Sequence, residues 1–477
     1  MKIKVLARSL DNHQPQSHGA PAPIHKNLDP SLHPHARSRE YTRAVTASKL
    51  NRMFAKPFIG QLDGHRDGIY VMGKDPLKLT QVVSGAADGE VRVWDLGTRA
   101  CTISLTEAHR GRVTGVTFLP AKFQGEEAES RTSRLGSRKV LTCGIDKVVK
   151  MWDLGPRNDP GADRLVNTYQ GKHGFNDIDH HHTEPVFVTA SDKLHIWDVT
   201  KSSPISDLSW NSARSGANHC VTFSPSEHNV LASAGSSSDR SICLYDMRSN
   251  KALGRLIMQM RMNCLRFNPQ QPSVLLAAGE DHQLYTFDIR YMKSATQVFK
   301  DHVGPVMSCD WSPTGQGFIS GSYDRTLRIW STSDTTFHRK GRSIDVYHTK
   351  RMQRVFSSIF TLDGKFSLTG SDDGSIRIWK STAAEGLGVK SGREMASKEY
   401  RDELRQKWNA VEGVGKLERQ RYLPKPIYHA QKLRTEMLEA RAKKEDNRNA
   451  HRKRKREGES TEKPKKERQK GLLALQS

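Results

Sequence analysis

The sequence predicts an all-β fold in which copies of one four-stranded unit stack around an axis, with a basic arm before them and a basic, helical extension after them. Three observations carry this reading. Seven segments between residues 57 and 379 end alike: SGAADGEVRVWD, TCGIDKVVKMWD, TASDKLHIWD, GSSSDRSICLYD, AAGEDHQLYTFD, SGSYDRTLRIW and TGSDDGSIRIW. Within each, residues after the Asp alternate with strand period, as Leu327 and Ile329 do against Arg328 and Trp330. The charge is unevenly placed. The chain has 477 residues and a net charge of +24, yet residues 57–379 hold 39 Lys/Arg against 34 Asp/Glu. The flanks carry the basicity.

Residues 1–56 hold 10 Lys/Arg and 3 Asp/Glu. Residues 11–35, rich in Pro, His and Asn without a period, read as extended. From Ala36 to Phe54 a helical period appears, with Ala47, Leu50 and Phe54 on one face and Arg37, Arg39, Arg43 and Arg52 around it. Pro57 ends it.

The repeats close on Trp94, Trp152, Trp197, Tyr245, Phe287, Trp330 and Trp379, separated by 58, 45, 48, 42, 43 and 49 residues. The longest interval contains the polar stretch AKFQGEEAESRTSRLGSR (121–138), a loop insertion. In each unit the Asp suits a tight turn. A single four-stranded unit leaves its faces bare, whereas stacking copies around an axis buries them.

These segments resemble WD repeats in length, period and end motif, and seven of them imply a seven-bladed β-propeller. In that family a His, a Ser or Thr, the turn Asp and the Trp form a hydrogen-bonded set within a blade. The chain supplies the set four times: His65–Ser84–Asp88–Trp94, His109–Thr142–Asp146–Trp152, His302–Ser320–Asp324–Trp330 and His348–Thr369–Asp373–Trp379. The hydroxyl lies four residues before the Asp and the Trp six after it each time. The third unit (Asp192, Trp197) has a shorter hairpin. The fourth has Gly235 at the hydroxyl position and Tyr245 for Trp, and the fifth has Ala277 and Phe287, so these three are expected to rely on apolar packing. The family's repeat begins on the outer strand of the preceding blade, so residues 58–63 (FIGQLD) should complete the blade that ends at Trp379 and latch the ring.

A Ser, a His and an Asp in one repeat invite a catalytic triad, but a nucleophile is placed once, beside an oxyanion site. Fourfold repetition at fixed spacing marks bracing instead, and no catalytic residue and no cofactor are assigned. His180-His181-His182 reads as a loop run, because contiguous ligands rarely converge on one ion. The six cysteines form no C-x-x-C pair and scatter along strands, which points to buried free thiols and no metal site. No run of 18 apolar residues and no signal-like h-region is present, so neither a membrane span nor a secretory leader is expected.

Residues 380–477 hold 27 Lys/Arg and 15 Asp/Glu. Residues 380–450 read as helical: Tyr400, Leu404 and Trp408 share a face, a break follows at VEGVG, and Ala430, Leu433, Met437 and Ala440 share a second face. Residues 451–477 read as a disordered basic tail. Within it Arg452, Lys453, Arg454, Lys455 and Arg456 suit a nuclear import signal.

Two flanking pieces, LHPHARSREYTRAVTASKLNRMFAKPFIGQL (32–62) and RQRYLPKPIYHAQKLR (419–434), are similar to the flanks of the Sof-type WD-repeat proteins of the small-subunit processome. The resemblance implies a non-enzymatic scaffold in the nucleolus of the nucleus. Its implied partners are pre-rRNA, the U3 small nucleolar ribonucleoprotein and other processome proteins. Its implied role is in pre-rRNA processing to 18S rRNA and 40S subunit biogenesis. The cations offered to RNA or a partner are Arg37, Arg39, Arg43, Arg419, Arg421, Lys425, Lys432 and Arg434. Two other readings stay open. YDMR (245–248) and FDIR (287–290) are similar to the D-x-R box of substrate receptors of cullin-RING ubiquitin ligases, with Arg248 and Arg290 as adaptor contacts. The bland alternative is a surface Arg at a strand end. A generic nuclear propeller that grips peptides is the third reading.

Overall fold

A computed structural model describes residues 27, 29–120, 139–155, 164–210, 217–332, 341–420, 422–453 and 472–476. The 121–138 insertion, residues 1–26, Arg421 and the import residues Arg454, Lys455 and Arg456 lie outside them. The chain divides into two units, Phe58–Ser333, Gly341–Ser381 and Leu423–Ser477 in one, and Met1–Pro57, Asp334–Lys340 and Thr382–Tyr422 in the other.

The first unit is a seven-bladed propeller. Its innermost strands, in blade order, are Ile69–Lys74, Val113–Phe118, Asp177–His180, Asn218–Phe223, Met262–Phe267, Val306–Trp311 and Val355–Phe360. Each pairs antiparallel with the next strand of its own sheet, and the seven pack side by side in a closed ring. The alternation that suggested strands is one of burial in some blades only: Leu327, Arg328, Ile329 and Trp330 are all buried. In the third strand of blade 1, Val91, Val93 and Trp94 are buried and Arg92 is not.

The turn Asp builds the hairpin between the second and third strands. Asp88, Asp146, Asp281, Asp324 and Asp373 each accept the backbone N–H two residues on, at 3.0–3.3 Å. The residue after the Asp is then forced to positive φ: Gly89 (87°), Lys147 (66°), Arg240 (48°), His282 (68°), Arg325 (63°) and Gly374 (74°). Glycine fits that region freely, while a side chain there costs about 1–2 kcal/mol.

Phe58–Asp63 is the outer strand of blade 7, with Gln61 opposite Arg377 and Leu62 opposite Ile376. The ring therefore closes through the first described strand, as the repeat phase predicted. Side chains also link neighbouring inner strands. Asp177 accepts Val221 N–H (3.1 Å), Asp179 accepts Phe223 N–H (2.8 Å), and Asp310 accepts Phe360 N–H (2.8 Å). Lys74 of blade 1 reaches Asp310 of blade 6 at 2.8 Å. Burial pushes the Asp177 carboxyl up to about 6.

The same unit contains helix Lys425–Lys453 and, at the end of the chain, strand Leu472–Gln476, which pairs with Lys251–Met258 and makes blade 4 five-stranded. The expectation that everything after residue 451 is disordered is corrected there, because an outer blade edge offers unpaired backbone groups.

The second unit packs three helices: α1 (Ala36–Met53), α2 (Gly392–Trp408) and α3 (Glu412–Arg419). Ser391 and Glu394 form a reciprocal capping box that starts α2. Ala44, Leu404 and Val414 form the core, with Tyr41, Tyr400 and Trp408 against it. The expected apolar face of the first helix is corrected: Glu40, Ala44, Ala47 and Ser48 are buried, and Phe54 is exposed. Glu40 can be buried because Trp408 Nε1 (3.0 Å) and Lys407 Nζ (2.6 Å) satisfy it. The break expected at VEGVG is present but lies slightly earlier, between Trp408 and Glu412 with Val411 extended as the N-cap. The rest of VEGVG opens α3, and Gly415 is buried so tightly that a Cβ would lie 2.5 Å from the Asn409 carbonyl. The single extension expected over 380–450 is thus divided near Pro424, between Tyr422 and Leu423.

Candidate nucleic-acid and partner interface

Two of the four predicted sets are complete. In blade 6, Trp330 Nε1 donates to Ser320 Oγ (2.8 Å), Ser320 meets His302 Nε2 (2.7 Å), and His302 Nδ1 meets Asp324 (2.9 Å). Blade 2 repeats this with Trp152, Thr142, His109 and Asp146 at 2.9, 2.8 and 3.0 Å. Bonding of this kind assigns the imidazole proton to Nδ1 and leaves Nε2 to accept from the hydroxyl. Burial lowers both histidines, more than their Asp partners raise them, so the rings are neutral. Such a set satisfies buried polar groups.

The other two sets are corrected. In blade 1, His65 and Trp94 both reach Ser84 (2.6 and 2.7 Å), but the acid beside His65 is Glu90, 3.4 Å from Nδ1. Asp88 is exposed in the turn. His65, Asp88 and Glu90 together have ligand-like spacing. However, Arg92 Nε and Ser104 Oγ, each at 2.8 Å, already occupy one Glu90 oxygen, and a guanidinium is a poor neighbour for a metal ion. In blade 7, Trp379 donates to Thr369 (2.9 Å), but His348 bonds neither Thr369 nor Asp373. Arg377 and Ser375 hold Asp373 instead.

Strand register also relocates the hydroxyl position. The Trp of blade 1 stands opposite Val82, and Ser84 is two residues beyond. The same count from Phe187, opposite Trp197, gives Thr189, and from Leu231, opposite Tyr245, gives Ser233. Thr189 does accept Trp197 Nε1 at 2.9 Å. The hairpin is two residues short in blade 3 and two long in blade 4, so counting back from the Asp pointed at Gly235 and passed over both hydroxyls. Of the three departing blades only the fifth, with Ala277, lacks the hydroxyl. The histidine run binds main chain: His180 Nδ1 meets the His181 carbonyl (2.5 Å) and His181 Nε2 the His228 carbonyl (2.7 Å). All six cysteines are free, although Cys101 is exposed at a blade edge rather than buried.

The exposed cations are distributed over both units. Arg37, Arg39 and Arg43 project from α1, with Arg37 5.9 Å from the Trp408 ring and Arg43 3.5 Å from the Tyr400 hydroxyl. Arg419 is exposed at the end of α3. In the first unit, Lys425 and Lys432 are exposed, while Arg434 is turned inward and donates to the His302 carbonyl, so it braces the helix on blade 6. The expected apolar face of that helix is bare: Leu433 and Met437 are more than half exposed. Arg452 and Lys453 end the same helix. Arg248 and Arg290 are exposed in equivalent turns after the third strands of blades 4 and 5. Arg290 grips Asp288 through Nε and Nη2, both at 3.1 Å.

A Sof1-like domain model matches residues 381–470. The chain is also 38% identical over 461 residues to Protein SOF1 of Saccharomyces cerevisiae, covering 94% of this chain and 91% of that protein. The chain belongs to the Sof1-like WD-repeat family. WD-domain models match residues 56–95, 217–246, 293–331 and 344–380, four of the blades of this Sof1-like chain. The DDB1- and CUL4-associated factor 13 proteins of Xenopus laevis and Homo sapiens are 41% and 40% identical, over 94% of this chain and 95% of each relative. The Sof1-like segment begins where blade 7 ends and includes α2, α3 and the helix from Lys425.

Proposed function

We propose that this protein is a non-catalytic scaffold of the small-subunit processome, acting in the nucleolus in pre-rRNA processing to 18S rRNA and 40S subunit biogenesis. Similarity to Protein SOF1 along nearly the whole chain, propeller and basic extension together, carries the proposal. The propeller supplies rigid loop-bearing faces. The exposed Arg37, Arg39, Arg43, Arg419, Lys425 and Lys432 supply phosphate contacts to pre-rRNA within the U3 ribonucleoprotein assembly. Depletion in growing cells is the test. Precursors of 18S rRNA should accumulate and 40S subunits fall while the large-subunit rRNA is still made; unchanged 18S processing would overturn the proposal. For the purified chain on pre-rRNA fragments, log K should fall by about 0.7–0.9 per neutralised phosphate with each log unit of salt.

A second reading rests on Arg248 and Arg290, which stand exposed at matching turns, and on relatives named for association with DDB1 and CUL4. A chain changed at both to Ala should lose capture of the ligase adaptor while pre-rRNA processing continues. Undiminished capture would remove this role.

A further inference from the structure

One end of the propeller carries rings and guanidinium groups that neither the blade network nor the basic flanks use. The residue before the innermost strand accepts, through its carbonyl, the amide of the residue after the second strand: Arg112 from Ile145 (3.2 Å), Arg261 from Glu280 (3.1 Å), Pro305 from Tyr323 (3.0 Å) and Arg354 from Asp372 (2.9 Å). Blades 2, 5, 6 and 7 therefore present these positions at the same end of the ring. Across them runs a continuous arc. Arg112 Cζ lies 4.7 Å over Tyr70, Tyr70 stacks on Phe356 (4.1 Å, 12°), Tyr323 meets Phe356 edge-on (5.7 Å, 81°), and Arg354 Cζ lies 5.3 Å over Tyr323. Arg261 is paired with Glu280 at 3.1 Å, whereas Arg112 and Arg354 have no carboxylate partner among the described residues.

We propose that this rim is a docking site for a carboxylate-rich peptide segment of a partner protein, gripped by Arg112 and Arg354. A guanidinium laid on a ring is held in one orientation and keeps its N–H edge for a bidentate bond to a carboxylate. Two of them at the ends of a rigid aromatic arc form a preorganised, doubly positive site. The stacking favours a peptide over RNA. Single-stranded RNA is read by bases on open ring faces. Here Arg112 and Phe356 cannot share one face of Tyr70, so both of its faces are covered, and Arg354 takes one face of Tyr323.

The test uses the full chain with Arg452–Arg456 changed to Ser, which removes non-specific attraction by the tail, and a fluorescein-labelled nine-residue Asp/Glu peptide as probe. Affinity should fall at least tenfold in an Arg112→Gln, Arg354→Gln variant and nearly as far in Arg112→Lys, Arg354→Lys, which keeps the charge and loses the fork. A unit-for-unit match of the Lys variant to the parent would overturn bidentate gripping. Equal peptide affinity in the Gln variant, or ultraviolet crosslinking of a uridine-rich RNA to Tyr70 or Tyr323, would overturn the site as proposed.

Discussion

Thr142 and Thr369 occupy the same register position in blades 2 and 7, are both fully buried, and are the same residue. The sequence treats them as equivalent, yet their surroundings differ. Thr142 joins Trp152 to His109, whereas Thr369 serves Trp379 alone. Replacing each by Val keeps the shape and removes one hydroxyl. At Thr142 that leaves two buried groups unpaired, the indole N–H and imidazole Nε2. At about 1–3 kcal/mol for each orphaned group, the cost is about 2–6 kcal/mol for Thr142→Val and about 1–3 kcal/mol for Thr369→Val. Urea unfolding followed by tryptophan fluorescence measures both, provided the slope with denaturant is unchanged. Thr142→Val should be the weaker protein by at least about 1 kcal/mol. An equal or reversed order would refute the reading that the His link, and not the Trp link alone, braces a blade.

Three further outcomes are expected. His109 and His302 have folded pKa values below the unfolded value of about 6.5, so the unfolded chain takes up more protons below that pH. Their contribution is whole above pH 6.5 and declines as pH falls, and the urea midpoint should drop less between pH 7.5 and 5.5 in a His109→Asn, His302→Asn variant than in the parent; identical drops would refute this. Arg325→Gly should raise stability by about 0.5–1 kcal/mol, since relief of about 1–2 kcal/mol at φ 63° exceeds the added backbone entropy of about 0.5–1 kcal/mol; a lower thermal midpoint would count against it. Deleting residues 57–64 strips the outer strand from blade 7 and should leave the chain insoluble, and a soluble product with a native-like unfolding transition would refute the latch.

The blade count was legible because it rests on local signals, the two-residue alternation and a turn Asp five or six residues before an aromatic, whereas the latch followed from the repeat phase of the WD family. The hydroxyl positions were legible only where the hairpin kept its usual length. Thr189 and Ser233 face their aromatics across a strand pair, so register places them, and sequence distance from the Asp does not. Glu90 could have been suspected from its proximity to Asp88, but the choice between the two carboxylates depends on which one the strand turns inward. The burial of Glu40 was hidden for a similar reason: its partners, Lys407 and Trp408, are more than 360 residues away. The arc from Arg112 to Arg354 draws one or two residues from each of four blades, and no window of sequence contains it.

The latch also sets a schedule for synthesis. Phe58–Asp63 is the first of the propeller's strands to be made, and Ser375–Lys380, with which it pairs, is completed 317 residues after Asp63. At about 5–20 residues per second, the first strand waits roughly 15–60 s before its partner exists. During that interval each nascent chain exposes an unpaired, partly apolar strand at one end and an unfinished blade at the other. Factors that attend the emerging N-terminus would therefore govern how many rings are finished, independently of how stable a finished ring is.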